Sequence, residues 1–413
     1  MQEKERLAKR RVKRRSHKVK PMLVVFFNSC VSGAMAGGDV RLVQILKRIR
    51  TVEKVLVTPL SGKEMCVRND VAATFLLTAG SAEVKSIAVS YVLRMLRSLT
   101  YRVSLSDNDT LFSSSDFLPD VLPAFVLKRR NPRARWVATV YHLIPPPWTR
   151  AGGFKLSNLA VYIQQAASLA IIVRWADLIQ TETDSLRRTL ARRYRFSPRR
   201  IIAVPSGVDR SVLEKPSDNQ AVYDACCVAR LHLSKGVLDL VKAWKAVCAW
   251  KEDAVLVIAG GGLPEMVQRL AYEISSSNLE NNIKVLGFVS EEKKLEILTK
   301  SRLYVLASYE EGIPITFYEA MACGAPIVTY YLPSYEEIRE YIVGVPVGDI
   351  HQLAQDMLRV LRKENLRQKL RDRGRVLAEK HTWDKTTERI LELLQETATS
   401  DTCVPPQIMY EMG

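Results

Sequence analysis

The sequence predicts an α/β protein built on parallel sheets and arranged as two halves of similar size. Three observations carry this. Continuous apolar runs such as "PMLVVFFN" and "AVLVIAGGG" suit strands buried on both faces, as in a parallel sheet. Segments with helical apolar spacing alternate with them, the pattern of strand–helix–strand units. The alternation breaks in the polar, turn-rich "DRSVLEKPSDNQA" (209–221) and then restarts. A ligand is expected in the cleft between the halves, near the carboxyl ends of the strands.

Taken in order, residues 1–20, "MQEKERLAKRRVKRRSHKVK", hold almost no large apolar side chains and read as a basic mobile arm. The first half, 21–207, opens with the strand "PMLVVFFN". "SGAMAGG" follows, then a helix in which Leu42, Ile45, Leu46 and Ile49 share a face. "KVLVTPL", "TLFSSS", "ARWVATVYH", "DLIQTE" and "IIAVPSG" are its further strands. In the second half, 208–380, the strands are "VYDACCVARL", "AVLVIAGGG", "NIKVLGFV" and "LYVLASY", with "GVLDLVKAWKAVCAW", "EMVQRLAYEISSS" and "EEKKLEILTKS" as helices. "EEGIPITFYEAMACGAPIVTY" (310–330) then places Glu311 and Glu319 eight positions apart. Eight is neither two nor three helical turns, so one helix would not set these carboxylates side by side. A last helix over 381–396 and a loose tail over 397–413 complete the chain.

The 413 residues are 47% hydrophobic and 25% charged, ample for two cores. Seven cysteines without a CxxC pair read as small core residues in a reducing compartment. The longest apolar stretch, "LAVYIQQAASLAIIV", is split by two glutamines, and the basic N-terminus lacks the apolar run of a signal peptide. The expected location is cytoplasmic. Charge is uneven: residues 1–200 carry 36 Lys/Arg against 14 Asp/Glu, a net +22, and residues 201–413 carry 25 against 30, a net −5. A basic first half either faces a polyanionic neighbour or is a solvated surface.

In "CVARLHLSKG" (227–236), Arg230 closes a strand and Lys235 precedes a helix. Two cations and a helix N-terminus would suit a diphosphate; taken alone, solvated surface cations read equally well. "DND" (107–109) imitates a metal-binding Asp-x-Asp, but its polar surroundings suit a turn before a strand. No metal site is expected. Asp116 either faces an acceptor or caps a helix.

The motifs "VARLHLSKGVLDLVKAW", "LVIAGGG", "VLGFVSEEKK" and "LASYEEGIPITFYEAMACGAPIV" occur in order. Together they resemble the retaining glycosyltransferases of family 4, which have the GT-B fold. The resemblance extends to "MAGGDVRLVQIL", "ATVYHLIPPP", "PSGVD" (205–209) and "HTWDKTTERILELL" (381–394), and so covers about residues 21–395. It implies two Rossmann-like domains with parallel sheets facing a central cleft, the first for acceptor and the second for a nucleotide sugar. The last helix is implied to cross back to the first domain.

By that resemblance Glu311 contacts hydroxyls of the transferring sugar, and Glu319 accepts both vicinal hydroxyls of the ribose. A carboxylate's two acceptor oxygens match a diol. Arg230 and Lys235 neutralise the leaving diphosphate where other transferases use a divalent metal. Gly37 and Gly38 let the backbone approach the donor, and His142 lies near the sugar. One departure is Ile313-Pro314 where the family often has a second glycine: proline offers no N–H, so one backbone contact to the donor is expected to be missing or shifted.

The function implied is retaining transfer of a sugar from a nucleotide diphosphate sugar to a hydroxyl on a lipid-linked molecule or a glycan. The nucleotide sugar is a substrate and no cofactor is expected. An anionic membrane surface is an expected partner of the basic half, which would make the protein peripheral on the cytoplasmic face of a membrane. A nucleotide-sugar epimerase on the same fold is the alternative enzyme. A basic nucleic-acid-binding protein is the alternative of another class, though the arm lacks interleaved aromatics for base stacking.

Overall fold

The structure, a computed structural model, describes residues 21–30, 36–79, 87–150, 153–195, 197, 200–214 and 221–395. The arm over 1–20, the tail over 397–413 and Cys403 lie outside them.

The first sheet contains β1 (Leu23–Phe27), β2 (Glu53–Thr58), β3 (Thr74–Leu77), β4 (Thr110–Ser113), β5 (Arg135–Val140), β6 (Leu178–Thr181) and β7 (Ile201–Ala203). They pair in parallel in the order β3-β2-β1-β4-β5-β6-β7. Between them run α1 (Gly37–Arg48), α2 (Leu60–Arg68), α3 (Ile87–Ser98), α4 (Leu118–Arg130), α5 (Leu156–Trp175) and α6 (Asp184–Tyr194). Every side chain of β1 is buried, as its unbroken apolar run requires of a strand covered on both faces. The short edge strand β3 is not separated from its surroundings by the sequence pattern, because Thr74 is exposed and its other three residues are only partly buried.

After the short helix α7 (Arg210–Leu213), the second sheet comprises β8 (Ala225–Val228), β9 (Leu256–Ala259), β10 (Ile283–Gly287), β11 (Tyr304–Leu306), β12 (Ile327–Tyr330) and β13 (Ile342–Val345). Its order is β10-β9-β8-β11-β12-β13, again parallel. Its helices are α8 (Val237–Trp250), α9 (Pro264–Ser276), α10 (Glu291–Thr299), α11 (Ile315–Ala322), α12 (Ile350–Arg362) and α13 (Glu364–Lys380). The helix α14 (Trp383–Gln395) crosses back: Ile390, Leu393 and Leu394 are buried in one cluster with Val24, Phe26 and Leu42 of the first domain. This is the GT-B arrangement.

The chain passes between the domains twice, and the two crossings touch. Val208 N–H donates to His381 O at 2.9 Å, and Trp383 N–H donates to Val208 O at 3.1 Å. Gly207 is required there, since a Cβ would lie 2.4 Å from the Thr382 carbonyl carbon.

The apolar stretch broken by two glutamines lies in α5, which at 20 residues is long and apolar enough to cross a membrane by length and composition. Gln165 is buried and Gln164 hydrogen-bonded, so the interruptions serve the first domain's interior.

Candidate active site

Each sheet has one place where strand order reverses, between β1 and β4 in the first and between β8 and β11 in the second. Crevices open at the carboxyl ends of such reversals, and here they meet. A Cβ on Gly312, just after β11, would lie 3.1 Å from both Glu182 Oε2 and Tyr141 O of the first domain. Arg150 Nε donates to Glu310 Oε2 across the cleft at 2.9 Å, and its Nη2 pairs with the other oxygen.

On the second-domain wall, Lys235 Nζ pairs with Glu311 Oε1, which also accepts from Ser308 Oγ at 3.1 Å. The Ser334 hydroxyl lies 2.9 Å from Glu311 O and 3.2 Å from Gly312 O, pinning the loop. Lys235 is delivered by a single helical turn that ends at Gly236, with φ 62°. Only glycine fits, because a Cβ would sit 1.9 Å from Ala307 O. The close approach docks the N-terminus of α8 on the end of β11. Arg230 is exposed beyond β8.

Glu319 lies inside α11, past the Pro314 that precedes it, and is 7% exposed. Its Oε1 accepts from Lys294 Nζ of α10 at 2.8 Å; its Oε2 is buried without a partner. Burial pushes the carboxyl's pKa up and Lys294 opposes this. An acceptor oxygen left alone in a buried place is costly unless something else supplies a donor. Lys294 was not singled out by sequence: in "SEEKKLE" it looks like one more cation on a solvated face. Ile313 is buried in the second core, so the Ile-Pro pair anchors the loop that a glycine would leave free.

On the first-domain wall, Gly37 and Gly38 begin α1. A Cβ on Gly38 would lie 3.1 Å from the Tyr141 ring, and one on Gly37 would lie 3.9 Å from Ile315 Cδ1 of the opposite domain. Asp39 accepts from Ala36 N–H at 3.0 Å and Asn28 Nδ2 at 3.1 Å. His142 follows β5; its carbonyl accepts from Gln165 Nε2 at 2.8 Å, which also donates to Asp116 Oδ2 at 2.6 Å. Asp116 is therefore no helix cap: Phe117 occupies the cap of α4, and Asp116 is buried beside His142. Asp120, in the first turn of α4, accepts from Ser115 and is pushed up to about 8, first by burial and further by Asp39.

Glu182, just past β6, is a cleft residue the sequence reading missed. Burial raises its pKa, and Arg41 opposes this most strongly. Arg41 is itself buried, donating to Ser206 Oγ at 2.9 Å and Val204 O at 2.8 Å. Its only sequence signal was a carboxylate ending a strand in "DLIQTE".

The "DND" segment lies at the other end of the sheet. Asp109 is buried and accepts from Leu23 N–H at 2.9 Å and Ser106 N–H at 2.7 Å, where β1 and β4 begin. Among the described residues no group of three or more His, Cys, Asp or Glu side chains is placed to hold a metal ion. The cleft thus offers cations and a helix N-terminus on one wall, and buried carboxyls held toward neutrality on the other.

The family model described as glycosyl transferases group 1 matches residues 213–377. The second domain belongs to the glycosyl transferases group 1 family. This group 1 domain contains Arg230, Lys235, Lys294, Glu311 and Glu319. Two curated relatives are a GDP-mannose-dependent monoacylated alpha-(1-6)-phosphatidylinositol monomannoside mannosyltransferase from Corynebacterium glutamicum and a phosphatidyl-myo-inositol mannosyltransferase from Mycobacterium leprae. The first is 27% identical over 215 residues, 46% of this chain and 55% of the relative. The second is 28% identical over 170 residues, 40% of this chain and 44% of the relative. The match thus spans about half the length of these relatives.

Among solved structures, Anabaena HepE in complex with UDP-glucose superposes with a TM-score of 0.71 at 17% identity, covering 91% of this chain and all of that one. Sucrose-phosphate synthase from Thermosynechococcus elongatus superposes with a TM-score of 0.70 at 16% identity, covering 92% of this chain and all of that one. At such identities the likeness is one of fold: the group 1 domain is the second of two domains in a GT-B fold.

Proposed function

We propose that the protein is a retaining glycosyltransferase that moves a sugar from a nucleotide diphosphate sugar to a hydroxyl of a lipid-linked acceptor. The observation that carries this is the buried Glu319 with its unpartnered Oε2, set on the same wall as the Lys235–Glu311 pair and the α8 N-terminus. An extended ligand with a diol at one end, a diphosphate in the middle and a sugar at the other would meet the three in turn. Glu319 Oε2 would accept from ribose hydroxyls, Lys235 and Arg230 would face the diphosphate, and Glu311, freed from Lys235 as phosphate takes the lysine, would accept from the sugar's hydroxyls.

The sugar C1–O bond to the diphosphate breaks as C1 bonds to the acceptor oxygen on the same face. The acceptor proton passes to the departing phosphate oxygen, so no protein nucleophile is needed. The negative charge that develops on the leaving diphosphate is stabilised by cations already in place, and divalent metal is not required. Gly37, Gly38 and His142 would line the sugar from the first domain. The phosphatidylinositol-modifying relatives support a lipid-linked acceptor, and the GDP-mannose of the Corynebacterium glutamicum relative together with the neighbour's UDP-glucose supports a nucleotide-sugar donor.

A panel of nucleotide sugars tests this by thermal shift and by transfer to lipid acceptors in excess chelator. A donor at about 100 times its dissociation constant raises stability by about 2.7 kcal/mol. No shift with any donor would overturn the reading; transfer lost in chelator and restored by magnesium or manganese would overturn its metal-free form.

A further inference from the structure

Two helices of the first domain turn polar residues inward and leave apolar ones on the outside. On α3, Arg94 and Ser98 are buried, whereas Val89, Val92, Leu93 and Leu96, at one-turn spacing, are exposed. On α5, Gln165 and Ser168 are buried, whereas Leu156, Ala160, Ile163, Ala167 and Ala170 form a stripe along the outside, with Leu156 77% and Ile163 57% exposed. Tyr91 Oη donates to Gln164 Oε1 at 3.0 Å and links the two helices. Trp148 and Phe154, in the segment leading into α5, are exposed as well. Exposed apolar faces of this kind mark an interaction site.

Its surroundings name the occupant. Lys155 and Arg174 stand exposed at the two ends of the α5 stripe, and Arg97 is exposed beside Leu96. Apolar helix faces with exposed aromatics and cations at their margins are the pattern that lies in the interface of an anionic bilayer. A protein partner would need matching acids around an apolar centre, whereas an anionic lipid surface supplies both over any outline. The helix cannot span, since Leu169 and Ile172 are in the first core and Gln165 holds Asp116 and the His142 carbonyl.

We propose that the outer faces of α3 and α5 insert together into the interface of an anionic membrane. The inner side of α5 then forms part of the acceptor wall of the cleft. A lipid-linked hydroxyl would be presented within reach of the site by the same helix that docks. The inference rests on the lipid-linked acceptor proposed above, and the two can fail separately.

The test is sedimentation of the full chain with vesicles of phosphatidylglycerol and phosphatidylcholine. It compares the native protein with a double variant, Leu93→Lys with Ile163→Lys, and a second, Leu93→Ser with Ile163→Ser. Both sites are exposed, so the fold should hold, checked by circular dichroism and by the thermal shift with nucleotide sugar. The lysine variant is informative because it adds positive charge. Insertion predicts binding weaker by about tenfold or more in both variants, and native binding that persists in part at high salt.

Lysine-variant binding equal to or stronger than native would overturn the proposal and leave simple charge attraction. So would a native dimer that either variant dissolves, since the face would then meet a second copy of the chain. Transfer confined to soluble acceptors, with vesicle binding still lost in the variants, would remove the lipid-linked acceptor while upholding the face.

Discussion

Glu319 has one oxygen on Lys294 and one on nothing, and this asymmetry makes it the most informative residue to change. Glu319→Gln keeps an acceptor for Lys294 and removes the charge. The expectation is a folded protein whose kcat/KM for transfer falls by about 10²–10³, as loss of one charged contact that strengthens in the transition state would give. Lys235→Ala should fall by a similar factor. Near-native turnover in either variant would remove the proposed donor site. Asp120 offers a test of a different kind. Its folded pKa of about 8 lies above the ordinary carboxyl value, so the folded state holds a proton that the unfolded chain gives up. That contribution is full at acid pH, below the unfolded value, and is lost as pH rises toward about 8. Asp120→Asn should flatten the decline, and melting curves should show the variant gaining on the native protein as pH rises from about 5 to 8, with about 2–4 °C for each kcal/mol recovered. Parallel curves would contradict the assignment.

At the scale of elements, the join between β11 and α8 depends on Gly236. Gly236→Ala combines a left-handed backbone, which costs a side chain about 1–3 kcal/mol, with an overlap on Ala307 O. Denaturant midpoints should drop sharply, while Gly261→Ala, where a Cβ meets nothing within 4 Å, should stay within about 0.5 kcal/mol. Elements also show what could be read beforehand. The strands β1, β8 and β9 announced themselves because burial on both faces demands unbroken apolar runs. The edge strands β3 and β13 did not: "TFLL" is only half buried and "IVGV" carries a glycine, so neither leaves a periodic signal. Motif order reached Lys235, Glu311 and Glu319, whereas Glu182 and Lys294 acquire meaning only from contacts across the sequence. For α3 and α5, spacing marks a helix with an apolar stripe but not which side faces inward. That is decided by Arg94 and Gln165, whose partners lie on other segments.

For the whole molecule, closure of the cleft rests on contacts between the domains beside the site. Arg150 and Glu310 form a bidentate pair whose side chains are 16% and 13% exposed, and Ser185 N–H donates to Glu337 at 2.7 Å on the flank. Removing one partner of a nearly buried pair costs about 2–5 kcal/mol, enough to shift an open–closed population by tenfold or more. Arg150→Ala should raise the donor KM and enlarge the radius of gyration in solution scattering, and saturating donor should restore the compact form. An unchanged scattering profile would show that closure does not depend on this pair. The two crossings near Val208 and Thr382 bear on the same motion. Because they are hydrogen-bonded to each other rather than set apart, they act mechanically as a single pin, about which the halves can turn but at which they cannot part. A body on such a pin can open only by swinging, so its far rim, where the swing is widest, sets how large an acceptor can enter, and severing either strand of the pin alone would leave the two halves attached and in register.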